Sequence, residues 1–386
     1  MNNRERAMAI LNYEDYDRMP VVHFGYWPET LHKWAGEGHL TEEQAARWGD
    51  GNAIDAEIAE KLGFDFGWYN CLHPETRLLP AFEEKVVEEL PDGGHAVLTG
   101  EGVVILRKPG TTSIPTEIDH LLKDRASWEE HYLPRLEYSK ERVAHTLLNV
   151  AGGELTIVGR GGGDYLREGQ WDCPYGLECG SLYGVIRNWW GLVGLSYLQA
   201  DDPVLFDEVI DTVGELCYRV TERTLEVANT FDFGHFWEDI SFKNGPLVNP
   251  DLFAEKVGPH YRRITDLLHQ HGIDLVSLDS DGNIDKLVPI WLENGVNTMF
   301  PIEVGTWHAS IGPWRAKYGK ELRGVGGMDK KVFAYDYAAI DAEIERLKPL
   351  VDLGGYIPCP DHRIAPDGEW ANVQYYCERM REEFPR

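Results

Sequence analysis

Eight short apolar runs punctuate the chain: VVHFG (21–25), FDFGWY (64–69), LTIVG (155–159), FGHFW (233–237), LVSLD (275–279), TMFPI (298–302), LRGVG (322–326) and GYIP (355–358). Each has the length of a strand and is apolar on both faces, as strands covered on both sides are. Segments of helical period separate most of them. DDPVLFDEVIDTVGELCYRVTERTLEVAN offers Asp202 as an N-cap and Pro203 at the first helical position, while PDLFAEKVGPHYRRITDLLHQHG has an acidic first turn after Pro250 and a glycine stop after His271. Strand and helix alternating eight times predict an α/β protein, a single (β/α)8 TIM barrel over residues 1–386 rather than an open doubly wound sheet. One stretch breaks the alternation. EEKVVEELPDGGHAVLTGEGVVILRKPG (83–110) reads as antiparallel strands turned at PDGG and GEG, a β-hairpin excursion between the second and third barrel strands.

Composition narrows the partners. With 65 Asp plus Glu against 37 Lys plus Arg, the formal net charge is -28, which repels a phosphate backbone, and no basic stripe offsets it. No nucleic-acid partner is expected. The opening MNNRERAMAILNYEDYDRMP lacks an apolar leader core, and no run approaches the ~18 apolar residues of a membrane span. A cytoplasmic protein with no membrane contact is the expectation. Six cysteines without paired spacing (Cys71, Cys173, Cys179, Cys217, Cys359, Cys377) predict reduced thiols.

In a (β/α)8 barrel the chemistry sits where strands end, at the carboxyl-terminal face. The residues there are His235, Glu238 and Asp239 after the fourth run, Asp279 and Asp281 in LDSDGN after the fifth, and Glu303 with His308 after the sixth. Asp329 follows the seventh, and Cys359, Asp361 and His362 in YIPCPDHR follow the eighth. An Asp before Gly-Asn is by itself turn chemistry, and Glu238, Asp239 and Asp329 could each cap a helix. Acids, a thiol and imidazoles converging from five neighbouring strands make a set of metal donors instead.

RERAMAILNYEDYDRMPV, FWEDISFKNGPLVNPDLFAE and the terminal half from HGIDLVSLDSDGNIDKLVPIWLENGVNTMFPIEV through GGMDKK to GGYIPCPDHRIAPD resemble the uroporphyrinogen decarboxylase superfamily. More narrowly they are similar to its corrinoid-dependent methyltransferase branch, which includes methylcobalamin:coenzyme M methyltransferases and the methyltransferase components of O-demethylases. The resemblance implies a zinc site. Its His-x-Cys pair falls on Asp279 and Asp281, its distal Cys on Cys359, and a nearby Glu on Glu303, so two of three zinc ligands are replaced by carboxylates. Oxygen donors make a harder site, matched to an oxygen-bearing substrate.

The expected activity is transfer of a methyl group from a methoxylated, aromatic compound to the Co(I) corrinoid of a partner protein, with zinc on the departing oxygen. Trp189, Trp190, Trp237, Trp307, Tyr175 and His235 would form the substrate slot. His308, His362 and Glu238 are the candidate catalytic groups. Two other readings compete: a porphyrinogen-type decarboxylase, which the absence of any Arg in VVHFGYWPETLHKW disfavours, and a non-catalytic small-molecule-binding barrel. RGGGDYLREGQ (160–170) fits neither nucleotide-binding pattern and is expected to be a loop over the mouth where the partner docks.

Overall fold

The computed structural model describes residues 1–108, 115–149, 155–157, 162–169 and 171–385. Its centre is a parallel seven-stranded sheet in the order Tyr356–Pro360, Arg323–Met328, Thr298–Phe300, Val276–Asp279, Phe233–Trp237, Gly176–Glu178 and Cys71–Leu72. Val22–His23 pairs in parallel with Phe66–Gly67, just before the last of these. A parallel bridge links Tyr26 to Ile364, beyond the strand at the opposite end of the order. The sheet curls strongly enough that the Trp68 indole donates to Ser277 Oγ at 3.1 Å and the rings of Phe24 and Phe300 lie 4.5 Å apart.

Helices follow the strands because their apolar stripes need the sheet. The longest, Pro203–Val227, begins where the sequence marks it: Asp202 accepts from the Leu205 amide at 2.9 Å with Pro203 in the first turn. Its buried Leu205, Val209, Val213, Leu216 and Val220 repeat at helical spacing. The segment expected as one helix after Pro250 is two, Pro250–Lys256 and Gly258–Gln270. Pro259 has no N–H to continue the ladder.

Of the segment 83–110, the described residues 83–108 contain antiparallel strands as expected, and the excursion is larger than one hairpin. Lys85–Glu89, His95–Leu98, Val103–Arg107 and Thr116–His120 make a four-stranded sheet. The third strand is a correction. Leu155–Ile157 pairs antiparallel with Leu147–Asn149 and not with the central sheet, and residues 158–159 of that run lie outside the described ones. The place beside Cys71–Leu72 belongs to Gly176–Glu178, whose glycine and glutamate gave no apolar signal. Gly162–Glu168 of the glycine-rich stretch is a helix, with residues 160, 161 and 170 outside the described ones. It lies at the amino-terminal ends of the strands, where Arg4 joins Gly169 O to Asp232, so its described part is no cover for the mouth.

Candidate functional site

All the central strands are parallel, so their carboxyl ends share one edge. Three acids meet there: Asp239, two residues beyond Phe233–Trp237, and Asp279 and Asp281 at the end of Val276–Asp279. Each offers a carboxylate oxygen within 4.8 Å of the others. Local geometry enforces the meeting. The Glu238 amide donates to Asp279 O at 2.9 Å, and the Asp281 amide donates to Asp239 Oδ1 at 3.0 Å. Asp239 adopts a left-handed φ of 49°, which Asp tolerates better than most residues. Gly282 has φ 82°, and a Cβ there would stand 2.4 Å from Ser241 O, so only glycine lets the two loops close on each other.

Asp279 is buried, and Asp239 and Asp281 are half-buried beside it. Tyr69 donates to Asp279 Oδ2, and His362 Nε2 lies 3.1 Å from Asp281 Oδ2. His362 Nδ1 accepts from the Arg363 amide at 2.8 Å, which leaves the proton of the neutral ring on Nε2, facing Asp281. The ring is stacked on Trp27 at 5.4 Å, and burial holds its pKa down to about 4. Burial, then mutual repulsion, raises Asp239 to about 6; burial likewise brings Asp281 to about 6. Asp279 is pushed well up by burial and then by Asp281. Asp279 Oδ1 and Asp281 Oδ1 are buried without a hydrogen-bond partner. Buried unpaired carboxylate oxygens beside like charges are costly, and a cation among them relieves that cost.

A cavity of about 360 Å³ adjoins the trio, lined by Tyr69, His73, Arg77, Glu178, Trp237 and Arg363 among others. Tyr69 connects the two, one side on the cavity and its hydroxyl on Asp279. His235 lies deeper, fully buried, with both ring nitrogens unpartnered and Tyr69, Phe233 and Phe300 around it. Burial keeps it neutral, its pKa lowered to about 3.

Among the residues expected from sequence, the structure brings together Asp279, Asp281 and His362, with Trp237 on the cavity wall. It does not bring in Cys359. That thiol is fully buried, has Tyr356 and Tyr376 among its electrostatic neighbours, and is outside the group of three acids. Glu303 borders the trio but is spoken for: Oε2 accepts from the Gly282 amide at 2.5 Å and Oε1 from Thr306 Oγ1 at 2.8 Å.

Glu238 is a structural anchor. It accepts from the amides of Leu182, Tyr183 and Gly184, from Ser181 Oγ and from the Tyr261 hydroxyl, and so holds the start of the helix Gly184–Trp190. A Cβ on Gly184 would stand 1.8 Å from Glu238 O, which is why the helix can come this close. His308 is exposed, at the end of the short helix Val304–Trp307. Trp307 packs against Trp314, and Trp189 against Tyr132 in the core. Trp190 is buried beside Gly194. Tyr175 is at the wrong end, before Gly176–Glu178, packed on Trp171 and Phe231.

Sequence reasoning counted Asp239 among the strand-end donors, with helix capping as the alternative, but did not assign it to the metal, and it missed Tyr69, Glu178 and Arg363. Arg363 reaches the mouth from the chain's far end, held by Asp50 at 2.7 and 3.0 Å. The only sequence signal for it was its place directly after His362.

No protein-family model matches the chain, and no curated protein matches it. Among solved structures, a putative vitamin-B12 independent methionine synthase from Listeria monocytogenes overlaps 55% of this chain and 64% of its own at 13% identity. Its TM-score of 0.34 is too low to define a common fold. A methyltransferase from Methanosarcina mazei aligns over 99% of both chains with a TM-score of 0.59 at 15% identity. The chain shares the overall fold of that methyltransferase.

Proposed function

We propose that the protein is a methyltransferase that takes a methyl group from a methoxylated, aromatic compound and delivers it to a corrinoid carried by a partner protein. In this reading the strands form a (β/α)8 barrel, closed where Val22–His23 and the Tyr26 to Ile364 bridge meet the last strand. The Trp68 to Ser277 and Phe24 to Phe300 contacts support that curvature. The observation that carries the reading is the trio Asp239, Asp279 and Asp281, with Asp279 buried, the other two half-buried and one oxygen each of Asp279 and Asp281 buried without a partner, next to a cavity sized for one substituted ring. These residues fit a divalent cation, since carboxylate oxygens bind zinc as well as harder ions.

An ion held by Asp239, Asp279 and Asp281 would supply positive charge to stabilise an oxygen departing as an anion, and a reduced corrinoid would supply the nucleophile for the methyl carbon. The chain's own residues do the rest. His362 and Tyr69 fix the orientation of Asp281 and Asp279. Trp237 gives the ring an apolar face in the cavity wall.

The test is metal content with methyl transfer. Wild type should carry about one divalent ion per chain. Asp239→Ala, Asp279→Ala and Asp281→Ala should lose it, whereas Cys359→Ala should retain it. Methoxyarenes with a Co(I) corrinoid protein should then alkylate cobalt only with the ion-bearing forms. Full occupancy in all three acid variants would remove the site, and release of carbon dioxide without cobalt alkylation would restore the decarboxylase.

A further inference from the structure

The cavity wall contains a carboxyl group that the mechanism above does not use. Glu178 ends the strand Gly176–Glu178, in register with His235 on the next strand, and lines the cavity with Trp237 and Tyr69. Among the described residues it has no ion-pair partner within 4.0 Å, and its support is the Gly180 backbone. The nearest cation, Arg77, turns away to Glu101 on the antiparallel excursion, while Arg363 is taken by Asp50.

The state of this one group decides what the cavity accepts. As a carboxylate, it would stand beside the Trp237 indole and favour a cationic ligand on that ring face. As a neutral acid it offers an O–H to a ligand oxygen and no counter-charge to a cation on the Trp237 face.

We propose that Glu178 is a specificity-determining hydrogen-bond donor, a neutral carboxylic acid that selects uncharged ligands presenting an acceptor oxygen and excludes cationic methyl donors. This rests on the cavity being the substrate site. The charged and titratable groups facing it are Arg77, His73 and Glu75 from the segment after Cys71–Leu72, Glu238 after Phe233–Trp237, and Arg363 after the last strand. Burial, opposed by the more distant Arg77, brings Glu178 to about 8, with Glu238 adding to the rise. His73 is held below its usual range by burial and does not titrate in the same window.

The test uses 1,2-dimethoxybenzene, which has two acceptor oxygens and no titratable group, and tetramethylammonium as the cationic probe. Binding is read by tryptophan fluorescence on the full-length protein from pH 6.5 to 9.5. Wild-type affinity for the dimethoxy compound should fall about thirtyfold across that range, the loss expected for a donor with pKa near 8. Glu178→Gln keeps an N–H donor, so it should bind as wild type does at pH 6.5 and show no slope. Tetramethylammonium should bind wild type weakly at pH 6.5 and more tightly at 9.5.

A flat wild-type profile, or a slope that persists in Glu178→Gln, overturns the assignment. If the dimethoxy compound binds at no pH, the methoxyarene reading fails, and the proton is then read directly by infrared spectroscopy. A wild-type minus Glu178→Gln difference spectrum at pH 7 must contain a protonated carboxyl band. Its absence overturns the proposal regardless of substrate.

Discussion

Replacing Glu238 by Ala separates a structural anchor from a catalytic acid. Its carboxylate is fully buried and takes hydrogen bonds from Leu182 N at 2.8 Å, Tyr183 N at 3.0 Å, Gly184 N at 2.6 Å and Ser181 Oγ at 3.2 Å, besides the Tyr261 hydroxyl. Alanine strands three amides at the start of a helix. Each buried donor left unpaired costs about 1–3 kcal/mol, and the hydroxyls can turn to other acceptors, so the three amides together lose about 3–9 kcal/mol. In a chain of this size about 2 °C accompanies each kcal/mol, giving a fall in Tm of about 6–18 °C. Differential scanning calorimetry reads it. Glu238→Gln preserves the shape and two acceptor lone pairs but sets an NH2 against amide donors, and should lose about half as much. The folded fraction of Glu238→Gln should keep its metal and its affinity for cavity ligands. An unchanged Tm for Glu238→Ala together with abolished methyl transfer would refute this account and return Glu238 to the chemistry.

Two further outcomes follow from the same geometry. His235→Phe removes an imidazole whose nitrogens have no partners, so at pH 7 the variant should be at least as stable as wild type. Its pH dependence has a definite sign. Because burial lowers the folded pKa to about 3, the unfolded chain binds the proton first below pH 6.5, and wild type loses stability as pH falls from there toward 3. Between pH 7 and pH 5, urea unfolding should show His235→Phe gaining about 2 kcal/mol relative to wild type, and an equal pH dependence for both would sink the argument. Asp202→Ala removes the N-cap of Pro203–Val227 and should cost about 1 kcal/mol without altering metal content or ligand affinity. A change in either of those would show that the helix start is coupled to the mouth.

The sequence by itself determined the elements whose signal is local. Asp202 and Pro203 start a helix because a side-chain acceptor and a fixed φ act within one turn. FGHFW, LVSLD and TMFPI contain strands of one sheet because a doubly covered strand must be apolar throughout. The turns at PDGG and GEG likewise marked the antiparallel excursion. LTIVG shows the limit of that logic, since an apolar run gives no pairing partner: Leu155–Ile157 joins an antiparallel pair, and the less apolar Gly176–Glu178 takes the place in the sheet.

Only the tertiary structure decided the site. Position at a strand end was legible for Asp281, Glu238 and Cys359 alike, but the direction of each side chain was not. Asp281 joins Asp239 and Asp279, Glu238 turns to a helix start, and Cys359 stays outside the group. Those choices depend on contacts across long separations, such as His362 to Asp281 and Arg363 to Asp50, which no local pattern encodes. A one-residue change in strand phase reverses which face a side chain meets. For this chain, therefore, sequence periodicity sets which residues reach the mouth, and packing between distant strands sets which of them are left with unpaired oxygens there.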